Sequence, residues 1–277
     1  MNDAVLTARS FLFAPGNRPD RFLKAARSGA DAIILDLEDA VPENCKAHAR
    51  CSIAQEWREL QAASQVPILI RIHAFGTDAW HEDVALLHGL AGLAGIVLPK
   101  AESAEDLIAM RSEYPTLWTL PLIESARGWA AMGEIARAPG VGRLAIGHLD
   151  FISDTGMSPG SEEIELGPLR FAIAMHTRLA GLAAAIDGVT VQTNDDAAVI
   201  SDTLRARRYG FGGKLCIHPR QIQRVHAAFS PSQDERIWAE RVLMAAANSS
   251  GGAVQVDGRM VDRPVILKAK SLLASST

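Results

Sequence analysis

Cysteine is scarce in this sequence: Cys45, Cys51 and Cys216 are the only three, an odd number with no CxxC spacing. That excludes a disulfide framework and a cysteine-built zinc site, and it fits a reducing compartment. No GxGxxG follows any apolar run and no Walker loop occurs, which argues against a dinucleotide fold or a P-loop nucleotidase. No apolar run approaches the roughly 20 residues that cross a bilayer, and the polar stretch 1–9 has no signal core. A soluble, cytoplasmic chain with no membrane partner is expected. Neither sign of charge dominates: 28 Lys and Arg stand against 32 Asp and Glu, a net charge of -4. A nucleic-acid surface is therefore not expected. His73, His81, His88 and His148 lack metal-ligand spacing.

What the sequence does have is apolar runs that end in charge. Hydrophobic residues make up 48% of the 277, enough for a sizeable core. Trp118–Ile123 closes on Glu124, and Leu144–Leu149 closes on Asp150. Each reads as a strand buried on both faces and followed by a helix. Both acids would then sit at neighbouring strand tips, the rim where β/α barrels build their chemistry. Two carboxylates converging there repel unless a cation lies between them, and oxygen-only ligands favour a hard ion such as Mg²⁺. Taken singly, each acid has another reading, Glu124 as a helix N-terminal acid and Asp150 as a cap.

The same rhythm runs through most of the chain. Strands are expected at 10–14, 32–37, 67–72, 95–98, 118–123, 144–149, 184–191 and 214–217. Helices are expected between them, at 18–28, 42–63, 82–90, 103–111, 128–137, 169–182 and 195–209. Eight apolar strands alternating with helices predict a (β/α)8 TIM barrel over 1–229; an open doubly wound sheet is the alternative. Residues 230–277 read differently. A helix at 233–248 leads to a Ser/Gly hinge at 249–252, a hairpin about Asp257-Gly258 and a tail helix from Pro264. This segment is expected to be a C-terminal helical and hairpin flap over a barrel mouth, its own or a neighbour's.

The strand tips give a rim inventory: Phe13, Asp36, Glu38, Asp39, Arg71, Lys100, Glu124, Asp150 and His218. Arg71 ends an apolar run, a costly place for a charge unless it is paired or binds an anion. Its planar fork suits a carboxylate. An ion pair with Glu38 or Asp39 would orient it, and those two acids are read as holding Arg71 rather than the metal. Asp36 is read as holding a loop backbone. Arg18, Arg21, Lys24 and Arg27 follow the first strand, either to meet a phosphate-bearing ligand or as a solvated basic face. Cys216 has no activating partner and reads as wall.

Several motifs fall in an order that resembles the citrate lyase β-subunit-like family of the HpcH/HpaI aldolase/citrate lyase superfamily, with malyl-CoA and citramalyl-CoA lyases among its relatives. They are Arg9-Ser10-Phe11-Leu12-Phe13-Ala14-Pro15-Gly16-Asn17-Arg18-Pro19-Asp20, Leu35-Asp36-Leu37-Glu38-Asp39-Ala40-Val41 with Lys46 and Arg50, and Arg71. Further along come Pro121-Leu122-Ile123-Glu124-Ser125, Asp150-Phe151, Gly213-Lys214-Leu215-Cys216-Ile217-His218-Pro219 and Asp257-Gly258-Arg259-Met260-Val261-Asp262-Arg263-Pro264. The resemblance implies a barrel that binds Mg²⁺ through Glu124 and Asp150 and breaks or forms a carbon–carbon bond in a hydroxyacyl-CoA thioester. It implies acetyl-CoA and a 2-oxo acid as products.

Under that resemblance Arg71 binds the substrate carboxylate or oxyanion, flanked by Glu38 and Asp39. Phe13, Arg18, Lys24 and the Leu215-Cys216 backbone border the coenzyme A arm. Asp262, carried by the flap, is the general acid/base. A homotrimer or hexamer is implied. A citrate lyase β subunit acting on a citryl thioester, a thioesterase, and an acyl-CoA-binding protein without catalysis are the alternatives. The sequence departs from the family pattern at His73, at His148-Leu149 and at Thr155, which leaves the acyl substrate open.

Overall fold

A computed structural model describes residues 2–248 and 254–274. The hinge expected at 249–252 lies outside them. The chain divides into two compact units, 1–225 and 226–277.

In the first unit, α1 (Ala4–Thr7) precedes eight parallel strands that close into a barrel in sequence order. These are β1 (Ser10–Pro15), β2 (Ala32–Asp36), β3 (Ile68–Arg71), β4 (Gly95–Leu98), β5 (Trp118–Ile123), β6 (Ala145–Ile146), β7 (Ile186–Asp187) and β8 (Gly213–Cys216). β1 and β8 seal it through Ser10–Lys214, Phe11–Leu215 and Leu12–Cys216. The intervening helices are α2 (Phe22–Ala26), α3 (Lys46–Ala63), α4 (Asp78–Leu87), α5 (Ala104–Glu113), α6 (Ala126–Ile135), α7 (His148–Thr155), α8 (Gly167–Leu179) and α9 (Asp196–Arg208), with α10 (Arg220–Phe229) after β8. The expected (β/α)8 class is the observed one.

The barrel interior is filled by Phe11, Ala32, Ile34, Leu69, Val97, Leu120, Leu122, Ala145, Ile186 and Leu215. Burying such a side chain fully contributes about 1.5–3 kcal/mol. Strand side chains alternate faces with a period of two. Two residues beyond Ile34 the inward position is Asp36; beyond Leu69 it is Arg71; beyond Leu122 it is Glu124. The rim chemistry is the inward face of the core strands continued past the apolar layers.

At the opposite end, Arg143 is buried and donates to the Ala8, Val5 and Ala184 carbonyls at 2.6, 3.2 and 2.6 Å. Its guanidinium lies 5.4 Å from the Phe11 ring centroid. Burial lowers its pKa to about 9.

The structure corrects the element boundaries in one consequential place. The run Leu144–Leu149 is not one strand: β6 ends at Ile146, Gly147 turns the chain, and α7 begins at His148. Asp150 therefore stands in the first turn of a helix rather than at a strand end. β7 is likewise two residues where eight were expected, and α10 was not anticipated. Ser103 caps α5, accepting the Asp106 amide at 3.3 Å.

The second unit holds α11 (Gln233–Asn248), a hairpin of β9 (Val254–Val256) and β10 (Arg259–Val261), and α12 (Arg263–Ala274). Ala239, Val242, Val256, Val261 and Ala269 form its core. Asp257 and Gly258 have φ of 53° and 73°, the two left-handed residues that a tight two-residue hairpin turn needs.

Candidate active site

A cavity of about 300 Å³ opens at the C-terminal ends of the barrel strands, lined by Phe13, Asp36, Asp39, Arg71, Glu124, His148 and Asp150 among others. Its floor and one wall are apolar, from Leu122, Ile146, Val189 and Leu215.

Arg71 is the cation of this cavity. Its register partner on β2 is Asp36, which takes Nε at 2.7 Å and Nη2 at 2.6 Å. Nη1 lies 3.1 Å from Glu38 and 3.3 Å from Asp39, and the guanidinium stacks 4.8 Å from the Phe13 ring centroid. Burial alone would lower the Arg71 pKa, but the bonds to Asp36 and the charges of Asp36, Glu38 and Asp39 outweigh it and hold the pKa above the ordinary value. Asp36, fully buried, also accepts the Glu38 and Ala40 amides at 2.9 and 3.0 Å. Asp36 thus does hold a loop backbone, and it is also the main anchor of Arg71, with Glu38 and Asp39 the lesser partners. Lys46 fixes the same loop, donating to the Leu37 and Glu38 carbonyls at 2.9 and 2.7 Å.

Glu124 enters from β5. Oε2 accepts the Lys100 amide at 2.8 Å, and Lys100 holds a left-handed φ of 47° to present it. The other oxygen faces Gly147, where a Cβ would stand 2.2 Å away; only glycine lets the β6–α7 turn pass so close. Burial, then the charges of Glu38 and Asp150, push the Glu124 pKa up to about 8. Burial pushes Glu38 up to about 7, with Asp39 and Asp36 adding to the shift and Arg71 opposing it. Its Oε2 is buried without a hydrogen bond, the 3.1 Å approach of Arg71 being off-angle. Asp150 sits half-buried beside Glu124. The cavity thus carries more negative charge than the chain neutralises, the condition that a divalent ion relieves. Among the described residues no group of three or more His, Cys, Asp or Glu side chains is arranged to hold a metal. An ion here would have two protein carboxylates and positions left open.

A second cavity of about 480 Å³ borders the first across Phe13, Ala40 and Ile217 and is lined by Arg18, Arg21 and Lys24. Arg18 pairs with Asp20 at 2.8 Å and stays half-exposed, and Lys24 is 76% exposed. Leu215 lines the first cavity. Cys216 is fully buried and lines neither, with burial pushing its thiol up to about 12. Asp262 belongs to the second unit, where it is exposed and accepts the Val265 amide at 3.2 Å at the start of α12. His73 is tied to buried Asp83 through its amide and Nδ1, at 2.8 and 2.6 Å. Gly156-Met157-Ser158-Pro159-Gly160 spells a GxSxG pattern, but it follows a helix and leaves Ser158 exposed. A nucleophile elbow needs a strand before it.

His148, one of the positions where the sequence departs from the family pattern, is buried at the cavity wall.

Residues 9–219 match the family model for HpcH/HpaI aldolase/citrate lyase. A citrate lyase subunit beta-like protein of Deinococcus radiodurans is 36% identical over 290 residues, covering 99% of each chain. An L-malyl-CoA/beta-methylmalyl-CoA lyase of Cereibacter sphaeroides is 32% identical over 297 residues, 96% of this chain and 93% of that one. Among solved structures, the protein CitE of Mycobacterium tuberculosis in complex with magnesium, acetoacetate and coenzyme A superposes with a TM-score of 0.85. It is 34% identical and covers 98% of this chain and 99% of its own. Barrel, rim and relatives define an enzyme of the carbon–carbon lyase class. The chain belongs to the HpcH/HpaI aldolase/citrate lyase family. No helix among the described residues is long and apolar enough to cross a membrane.

Proposed function

We propose that this protein is a Mg²⁺-dependent lyase that cleaves a 3-hydroxyacyl-CoA of the malyl-CoA or citramalyl-CoA type into acetyl-CoA and a monocarboxylic 2-oxo acid. The charge inventory of the cavity carries the reading. Its lining has four acids, Asp36, Asp39, Glu124 and Asp150, against one permanently charged base, Arg71. The ion and Arg71 can meet one substrate carboxylate; a second, as in a citryl group, would face only acids, His148 and apolar wall. Glu124 and Asp150 would hold Mg²⁺, which fits their excess charge and matches the magnesium in the CitE complex. When bound, it supplies Lewis-acid polarisation of the substrate's oxygens.

The chain's own groups do the rest. Arg71, fixed by Asp36, offsets negative charge as it develops while the 3-hydroxyl gives up its proton to the Asp262 carboxylate and the C2–C3 bond breaks. The bonding pair moves into a thioester enolate, and the hydroxyl carbon becomes the carbonyl of the 2-oxo acid. Asp262 then protonates the enolate carbon to give acetyl-CoA, delivered by residues 230–277 acting as a flap at a barrel mouth. Arg18 and Lys24 meet the coenzyme A phosphates, with Phe13 and the Leu215-Cys216 backbone along the arm. We propose a homotrimer or hexamer as the assembly; on α8, Phe171, Met175 and Leu179 form a stripe exposed by 58, 41 and 72%. A panel assay of malyl-, citramalyl- and citryl-CoA with Mg²⁺ tests the reading. Release of acetyl-CoA from the first two supports it; activity confined to citryl-CoA overturns it.

A further inference from the structure

The catalytic cavity abuts a third one, of about 440 Å³, across the side chains His148, Leu149, Val189 and Val191, which line both. Of these four, His148 is the only polar side chain. Nε2 lies 3.7 Å from Glu163 Oε1, beyond hydrogen-bonding reach. Nδ1 is buried with no partner. The ring is seated by shape instead: a Cβ on Gly188 would stand 2.2 Å from Nδ1 and 2.9 Å from Cε1. Gly188 has no positive φ that demands glycine, so the missing side chain serves as clearance for the ring.

Behind the ring lies a network of ion pairs. Glu163, in a left-handed turn with φ of 48°, binds Arg170 and Arg205 at 2.6 and 2.8 Å. Arg170 reaches Asp187 at 3.2 Å, and Asp187 reaches Lys214 at 3.4 Å. Removing the imidazole would strand none of these partners, because each keeps a stronger one. A buried ring nitrogen with no hydrogen bond is a costly way to fill a wall, which points to a purpose other than stability.

We propose that His148 is a specificity-determining residue: it walls off the third cavity and thereby limits the 2-oxo acid half of the substrate to a short substituent. This rests on the lyase reading above. Beyond the ring, the shared wall of Leu149, Val189 and Val191 is apolar and would bury added methylenes. The third cavity further out is lined by Glu162, Glu163, Asp195 and Asp202 with no Lys or Arg. A longer alkyl chain would be admitted once the ring is gone, and a longer chain ending in a carboxylate would not.

The test is calorimetric binding of 2-oxo acids to the Mg²⁺-loaded protein, which does not depend on turnover. Pyruvate, 2-oxovalerate and 2-oxoglutarate are titrated into wild type, His148→Ala and His148→Phe. In His148→Ala the affinity for 2-oxovalerate relative to pyruvate should rise roughly tenfold, the effect of burying two methylenes, while 2-oxoglutarate gains nothing. His148→Phe, which refills the volume without nitrogen, should keep the wild-type preference. An unchanged ratio in His148→Ala, an equal gain for 2-oxoglutarate, or a His148→Phe protein that behaves like the alanine variant would overturn the inference and leave the lyase reading standing. Wild-type protein that binds none of the acids with Mg²⁺ would overturn both.

Discussion

Asp36 and Arg71 are register partners on adjacent strands, and their side chains meet through two charge-assisted bonds of 2.7 and 2.6 Å inside the barrel mouth. Such a pair adds little net stability over an apolar pair, but breaking it takes from a buried guanidinium its two shortest bonds and leaves it only the lesser partners Glu38 and Asp39. Asp36→Ala should therefore cost about 3–5 kcal/mol in chemical denaturation and reduce kcat/KM. Asp39→Asn should cost under about 1 kcal/mol, because the Asp39 side chain is 59% exposed. Equal losses in the two variants would refute this ranking.

The pH dependence of stability in the metal-free protein follows from Glu38. Its folded pKa of about 7 lies above the ordinary 4.5. Between those values the folded state keeps a proton that the unfolded state has lost, so stability falls as pH rises through this window. Glu124 adds to the same slope. Asp187 acts in the opposite sense at lower pH. Burial would raise it, but Lys214 and Arg170 hold it below the ordinary value, and the stability it contributes is lost as pH falls. Thermal melts in EDTA should show the decline from about pH 5 to 7, and Glu38→Gln should flatten it.

Cys216 is fully buried with its thiol pushed up to about 12, whereas Cys51 is exposed. Thiolate is the reactive form. A thiol-reactive dye should label Cys51 in the folded protein and Cys216 only after denaturation, as peptide mapping would show. Rapid native labelling of Cys216 would contradict the packing of β8 against β1.

Arg18 and Lys24 are exposed cations at the second cavity. Arg18→Ala with Lys24→Ala should weaken coenzyme A binding several-fold, and the loss should shrink at high salt as screening removes the wild-type advantage. Mg²⁺ binding should be unaffected. Calorimetry at two ionic strengths separates these outcomes.

Much of this was legible in the sequence because the barrel repeats one rule: an apolar run, a charged residue, a helix. β4 and β5 fall where the runs place them, and Glu124 and Arg71 are found by following the runs to their ends. The rule fails at His148, because Leu144 to Leu149 is apolar enough to read as one strand while Gly147 breaks it. It also fails for pairings made across the barrel. Nothing in one sequence shows that Asp36 stands level with Arg71, since register depends on how two strands dock. The fit of His148 against Gly188 is hidden for the same reason.

The central claim is that Glu124 and Asp150 together hold the ion on which cleavage depends. The most direct measurement is acetyl-CoA release from malyl-CoA or citramalyl-CoA by wild type and by Asp150→Ala, each with Mg²⁺ and again after chelation. Wild type should turn over only with the metal, and Asp150→Ala should show no turnover under either condition. Turnover by Asp150→Ala in the presence of chelator would contradict the account.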